Sequence, residues 1–134
     1  PTLQEGKEAM QKLLSMRHPP TAVFAASDML ALGALAAARE KGLRVPEDIS
    51  VAGFDDIDFA AFSDPPLTTV RVPASQMGET AVEVLTEMIE GHSEKVRQIS
   101  LDTELILRGS CRRLDKNEER KDRTNQSLQE RRAL

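Results

Sequence analysis

The stretch Ile49-Ser50-Val51-Ala52-Gly53-Phe54-Asp55-Asp56 constrains the fold more than any other. It reads as a buried strand that stops at a glycine, an aromatic residue and two carboxylates. Upstream, Ala22-Val23-Phe24-Ala25-Ala26-Ser27-Asp28 follows the same grammar, an apolar run closed by a polar cluster. A helix-length segment separates the two. Such an arrangement is a βαβ unit, whose crossover is right-handed and whose strands lie parallel. In open parallel sheets ligands bind outside the carboxyl ends of the strands, so the two polar clusters are where function is sought.

The other elements follow in order. Ala9, Met10, Leu13 and Leu14 share one helical face over residues 4–16, and His18-Pro19-Pro20 closes that helix. Residues 22–26, apolar on both faces, suit a central parallel strand. Ser27 or Asp28 caps a second helix running to about Lys41, with Met29, Leu32, Leu35 and Ala36 as its stripe and Gly42 as the left-handed residue beyond its end. Residues 49–54 are the next strand. One or two helical turns follow at 59–62, broken by Ser63-Asp64-Pro65-Pro66. Thr68–Val72 is a third strand, rich in β-branched residues. A helix over about 75–90 carries Met77, Ala81, Val84, Leu85 and Met88 on one side and ends at Gly91. Residues 98–101 and 104–108 are strand-like, as one bent strand or a pair. The fold class is therefore α/β, a layered lobe built on a parallel sheet.

Charge divides the chain. Residues 1–111 hold 10 Lys/Arg against 17 Asp/Glu, whereas residues 112–134 hold 8 against 5. An acidic body does not grip nucleic acid, which needs clustered cations, and a chain with no Trp and no Tyr offers few stacking platforms. Residues 112–134 lack apolar periodicity and read as a disordered or weakly helical solvated tail; a partner-binding or nucleic-acid-binding arm is the sharper alternative. The single cysteine, Cys111, precludes an internal disulfide and fits a reducing compartment. No run approaches the roughly 20 apolar residues that span a bilayer. The chain starts without Met, in a helix-like pattern, as a piece of something longer would.

The chemical inventory is thin. His18 and His92 read as exposed loop residues, and Cys111 has no paired base. Gly33, Gly42 and Gly53 are isolated rather than grouped in a phosphate loop. Asp55, Asp56 and Asp58 suggest a divalent cation, but a hard-ion site needs more oxygens at matched spacing. The residues that mark a phosphoryl-accepting receiver domain are missing. No catalytic residue, metal or cofactor is expected. Asp55 is placed to accept hydrogen bonds from vicinal hydroxyls or an amine, with Ser27 beside it; helix capping competes for Ser27 and Asp28, and Asp56 and Asp58 are placed to start the following turn.

Three blocks carry a resemblance: residues 20–35 (Pro20-Thr21 through Gly33-Ala34-Leu35), residues 42–56 (Gly42-Leu43-Arg44-Val45-Pro46-Glu47-Asp48 through Phe54-Asp55-Asp56) and residues 66–73 (Pro66-Leu67-Thr68-Thr69-Val70-Arg71-Val72-Pro73). In order and spacing they resemble the lactose/galactose-repressor family of bacterial transcription regulators over about residues 1–111. The resemblance implies the carboxyl-terminal part of a periplasmic-binding-protein-like (type I) effector domain, an incomplete fragment. It implies that Asp55 contacts the effector, a sugar or related small molecule, and that Ser27, where the family often has Asn, faces the same cleft. Val72 stands where some sugar-sensing relatives carry a polar contact. Leu32, Phe59 and Phe62 fall in segments used for homodimerisation. The implied protein is a cytoplasmic repressor, not an enzyme. It would meet operator DNA only through an N-terminal helix-turn-helix absent from this chain. A periplasmic sugar-binding protein of a transport system is the alternative reading.

Overall fold

The computed structural model describes residues 1–91 and 97–113. Its order is α1 (Leu3–Leu14), β1 (Ala22–Phe24), α2 (Asp28–Glu40), β2 (Ser50–Asp55), α3 (Asp58–Phe62), β3 (Thr68–Arg71), α4 (Ala74–Ile89) and β4 (Glu104–Ile106). The strands form one sheet in the order β1-β2-β3-β4, parallel except for the antiparallel β3–β4 pair. α1 lies on α2, and α2 lies on β2.

Local chemistry sets the helix ends. Thr2 and Glu5 make a reciprocal capping box at α1. Ser27 caps α2, its Oγ accepting from the Leu30 N–H at 3.4 Å. At the far end Gly42 has φ 72°. The Leu43 N–H reaches Ala38 O at 3.0 Å and the Gly42 N–H reaches Arg39 O at 2.9 Å. That pair of bonds is a Schellman closure, and it confirms the role expected of Gly42. Gly91, with φ 75°, follows the end of α4 in the same backbone region.

Several expectations are corrected. β1 is an edge strand of three residues among the described ones, not a central strand of five, and Phe24 is 65% exposed. An apolar run shows that a strand is compatible with burial on both faces but not that neighbours exist to supply it. α2 buries Ala31, Gly33, Ala34, Leu35, Ala37 and Ala38, while Ala36 of the expected stripe is exposed. The helix is sandwiched between α1 and the sheet, so small residues on two sides replace a single stripe. Residues 98–101 are not a strand; only Glu104–Ile106 pairs, so neither a bent strand nor a strand pair forms. α4 forms as expected, yet none of its residues is buried. His92 and residues 114–134 of the expected tail lie outside the described residues.

The core gathers Met10, Ile49, Val51, Leu67 and Ala31, Ala34, Ala37 and Ala38 of α2. Each fully buried branched side chain contributes about 1.5–3 kcal/mol. Ser110 completes the sheet where β3 has not yet begun. Its carbonyl accepts from Val51 N–H at 2.9 Å, and its hydroxyl accepts from Thr68 N–H at 2.8 Å while donating to Val51 O. Two buried glycines set the α1–α2 spacing. A Cβ on Gly6 would overlap the Leu30 backbone, and one on Gly33 would overlap the Leu3 carbonyl. Gly33→Ala is therefore expected to destabilise the chain by about 1–3 kcal/mol, because backbone cannot retreat as a flexible side chain can. Urea unfolding measures this, and an unchanged midpoint would contradict the close approach.

Candidate functional site

β1, β2 and β3 run parallel, so their carboxyl ends open on one edge of the sheet. Phe24 pairs with Ala52, and the chain reaches Ser27 three residues later, as β2 reaches Asp55. The two residues singled out from sequence therefore sit at the ends of neighbouring strands, and they differ in availability. Ser27 is buried, and its oxygen is the cap of α2; its hydroxyl hydrogen and a second lone pair are left over by that bond. The Asp55 side chain is exposed and, among the described residues, meets no hydrogen-bond donor or cation. Its backbone is left-handed, with φ 110°, and Asp56 follows with φ 54°. Two such residues in succession, neither a glycine, carry a cost of order 1–3 kcal/mol each.

Asp28 does not cap the helix. It is the first residue of α2 and 0% exposed. Its Oδ1 accepts from the Thr69 hydroxyl at 2.5 Å and its Oδ2 from the Ile57 N–H at 2.9 Å. One carboxyl group thereby joins the start of α2, the turn after β2 and the middle of β3. Gly53 is the glycine of the β2 motif for a related reason: a Cβ there would strike Asp28 Oδ1.

Asp56 does not start the next turn either. The residue preceding α3 is Ile57, which supplies no side-chain cap. Asp56 Oδ2 accepts from Arg71 Nε at 2.7 Å and Oδ1 from Arg108 Nη2 at 2.6 Å, with the carboxyl only 7% exposed. Burial opposes ionisation here, but the hydrogen bonds from Arg108 and Arg71 outweigh it and hold the Asp56 carboxyl below its ordinary range. Arg108 also donates to Leu67 O at 2.8 Å, and Arg71 to Glu104 at 3.1 Å. With both Asp56 oxygens engaged, the three carboxylates at 55, 56 and 58 do not form a cation site; among the described residues no group of His, Cys, Asp or Glu is arranged to hold a metal ion.

Sequence reading missed Thr69, Arg71, Arg108 and Glu104. Arg71 ends a strand and is recoverable once β2 and β3 are known to be neighbours. Arg108 carries no local signal, because its partner lies 52 residues away.

The described residues also form two apolar concavities. Leu3, Met29, Leu32, Phe59 and Phe62 line an open depression of about 300 Å³, with Phe59 69% and Phe62 86% exposed. The structure thus brings Leu32, Phe59 and Phe62 into one patch. A second hollow of about 470 Å³ runs between α4 and residues 97–101, lined by Met77, Val84, Met88 and Leu101 among others.

The profile of the periplasmic binding protein-like domain matches residues 1–111. The chain belongs to that family. It is 48% identical over 113 residues to the HTH-type transcriptional repressor CytR of Escherichia coli (strain K12), covering 84% of this chain and 33% of that repressor. Among solved structures it superposes on the transcriptional regulator CelR–cellobiose complex with a TM-score of 0.78 at 39% identity, covering 81% of this chain and 33% of the other. The lac repressor dimer bound to operator and the anti-inducer ONPF gives a TM-score of 0.75 at 35% identity, over 82% and 38% of the two chains. Its relatives are thus regulators of the lactose-repressor family, and the chain spans about a third of the length of the curated relatives it matches. The mixed sheet, dominated by parallel pairs, is part of a periplasmic-binding-protein-like domain, as the three sequence blocks implied. No described helix is long and apolar enough to cross a membrane.

Asp28→Ala is expected to lower stability by about 1–3 kcal/mol, since the Ile57 N–H and the buried Thr69 hydroxyl both lose their acceptor. Thermal or urea unfolding of the variant checks this; full retention of stability would show that the two bonds contribute nothing net.

Proposed function

We propose that this chain supplies one wall of the effector site, and part of the dimer face, of a bacterial transcriptional repressor. The observation that carries the reading is the Asp55 carboxylate: exposed, without a protein partner among the described residues, and held in a left-handed turn at the carboxyl end of a parallel strand. A strand-anchored carboxylate accepts two hydrogen bonds from adjacent hydroxyls, which suits a sugar or related small molecule. The cellobiose of the similar CelR complex supports that class of effector. The Ser27 hydroxyl hydrogen is available beside it. The patch of Leu32, Phe59 and Phe62 is the proposed contact between two copies; the lac repressor, a relative of the same fold, is described as a dimer.

Effector binding acts by shifting the population of domain and dimer arrangements, which changes operator affinity in DNA-binding segments outside this chain. The acidic body agrees with that division of labour. The working compartment is the cytoplasm, where such regulators meet both effector and operator. The curated relatives are repressors rather than transport proteins, which supports this reading over the periplasmic one.

In the whole protein Asp55→Ala is expected to weaken effector binding by about 2 kcal/mol, roughly thirtyfold, because a charge-assisted acceptor is lost. Calorimetry with the cognate effector measures it; wild-type affinity in the variant rules out the assigned contact. Replacing both Phe59 and Phe62 by Asp is expected to shift the protein toward monomer by at least about tenfold in dissociation constant, since burying an unpaired charge in an apolar contact is costly. Sedimentation equilibrium decides the point, and an unaltered dimer would place the interface elsewhere.

A further inference from the structure

We propose that Asp56 is a positioning residue: gripped by Arg71 and Arg108, it locks the Asp55 turn to the row of the sheet where the chain leaves for α4 and returns from it. The inference rests on the reading of Asp55 as the effector contact.

The strand register sets the geometry. Asp55 pairs with Arg71, and Arg71 pairs with Glu104, so the three stand in one row across β2, β3 and β4. Arg71 is the last residue of β3, and α4 starts at Ala74. Glu104 is the first residue of β4, reached after residues 97–103. Arg71 and Glu104, the sheet residues before and after the segment that contains α4, therefore stand in this row. Arg71 spans it, donating from Nε to Asp56 and from Nη1 to Glu104. Arg108 fixes the other Asp56 oxygen and reaches back to Leu67 O at the start of β3.

The backbone supplies the reason a grip is needed. Asp55 and Asp56 both have positive φ, a region that residues with a Cβ disfavour. Asp55 has no side-chain bond of its own, among the described residues, to hold it there. Its neighbours do: the Asp56 carboxyl is anchored on both oxygens, and the Ile57 N–H is anchored on Asp28. Exposed ion pairs such as Arg71–Glu104 contribute little by themselves. The nearly buried Asp56, with two guanidinium partners, is different, because it cannot change its position without leaving its own carboxylate short of the cations that offset its burial. A displacement of the α4 connections is in this way felt at Asp55, and a ligand on Asp55 is felt at those connections.

The test uses the isotopically labelled 134-residue chain. Backbone three-bond couplings report the Asp55 φ, and amide exchange reports local opening, in wild type, Asp56→Asn, Arg71→Gln and Arg71→Lys. In Asp56→Asn the Asp55 coupling is expected to move to the average of several conformers, and exchange at residues 55–57 to quicken about tenfold while Val51 and Leu67 stay protected. Arg71→Gln should give a weaker version of the same change, and Arg71→Lys, which keeps the cation, should restore the wild-type coupling. A wild-type Asp55 coupling and exchange rate in Asp56→Asn, even with a lowered Tm, overturns the proposal and leaves Asp56 a stabilising ion pair only. Should Asp56→Asn fail to fold, Arg71→Gln against Arg71→Lys carries the same comparison, since Arg108 still holds Asp56. Loss of the Asp55 reading shows separately, as effector affinity unaffected by Asp55→Ala, and does not alter the result at Asp56.

Discussion

The carboxyl group of Asp28 sits where three parts of the chain must agree. It begins α2, receives the Thr69 hydroxyl from β3 and the Ile57 amide from the turn after β2, and lies over Gly53. A buried acid costs several kcal/mol unless its oxygens are satisfied, so its two partners are obligatory rather than incidental. Satisfying them aligns the start of α2 with the ends of β2 and β3. The functional edge of the sheet inherits its shape from that alignment. The backbone that follows Asp55 is aimed where it is because Ile57, two residues later, is held from beneath.

Above that anchor two adjacent aspartates take opposite roles. Asp55 faces solvent without a partner among the described residues, whereas Asp56 is nearly buried and engaged by two arginines. Their chemistry is the same; the turn separates them, because consecutive left-handed residues send successive side chains in different directions. An acid already bonded on both oxygens has nothing left for a ligand. A free acid on a fixed backbone arrives with its orientation already set, which reduces what binding must order.

Helix α4 shows the limit of periodicity as evidence. Its apolar residues recur at helical spacing and the helix forms over nearly the expected range, yet it buries none of them. The pattern reports that one face of a helix is apolar. It does not report what covers that face. The same holds for β1, whose apolar run is compatible with a central position and which has one neighbour among the described strands.

The βαβ unit, the positions of α1, α2, β2, β3 and α4, the helix stop at Gly42 and the exposed acid at Asp55 were legible in the sequence, because each depends on local propensity, periodicity or backbone freedom within a few residues. The three motif blocks also marked the regulator family. What only the tertiary structure decided involves partners far apart in the chain. Ser27, not Asp28, is the cap, because Thr69 and Ile57 claim Asp28. Asp56 belongs to Arg71 and Arg108 rather than to its own turn, and Ser110 completes the pairing of Val51 from 59 residues away. A one-dimensional pattern records what each residue is able to bond. Which of several able residues receives a given partner is a matter of distance, and distance exists only once the sheet has set its register.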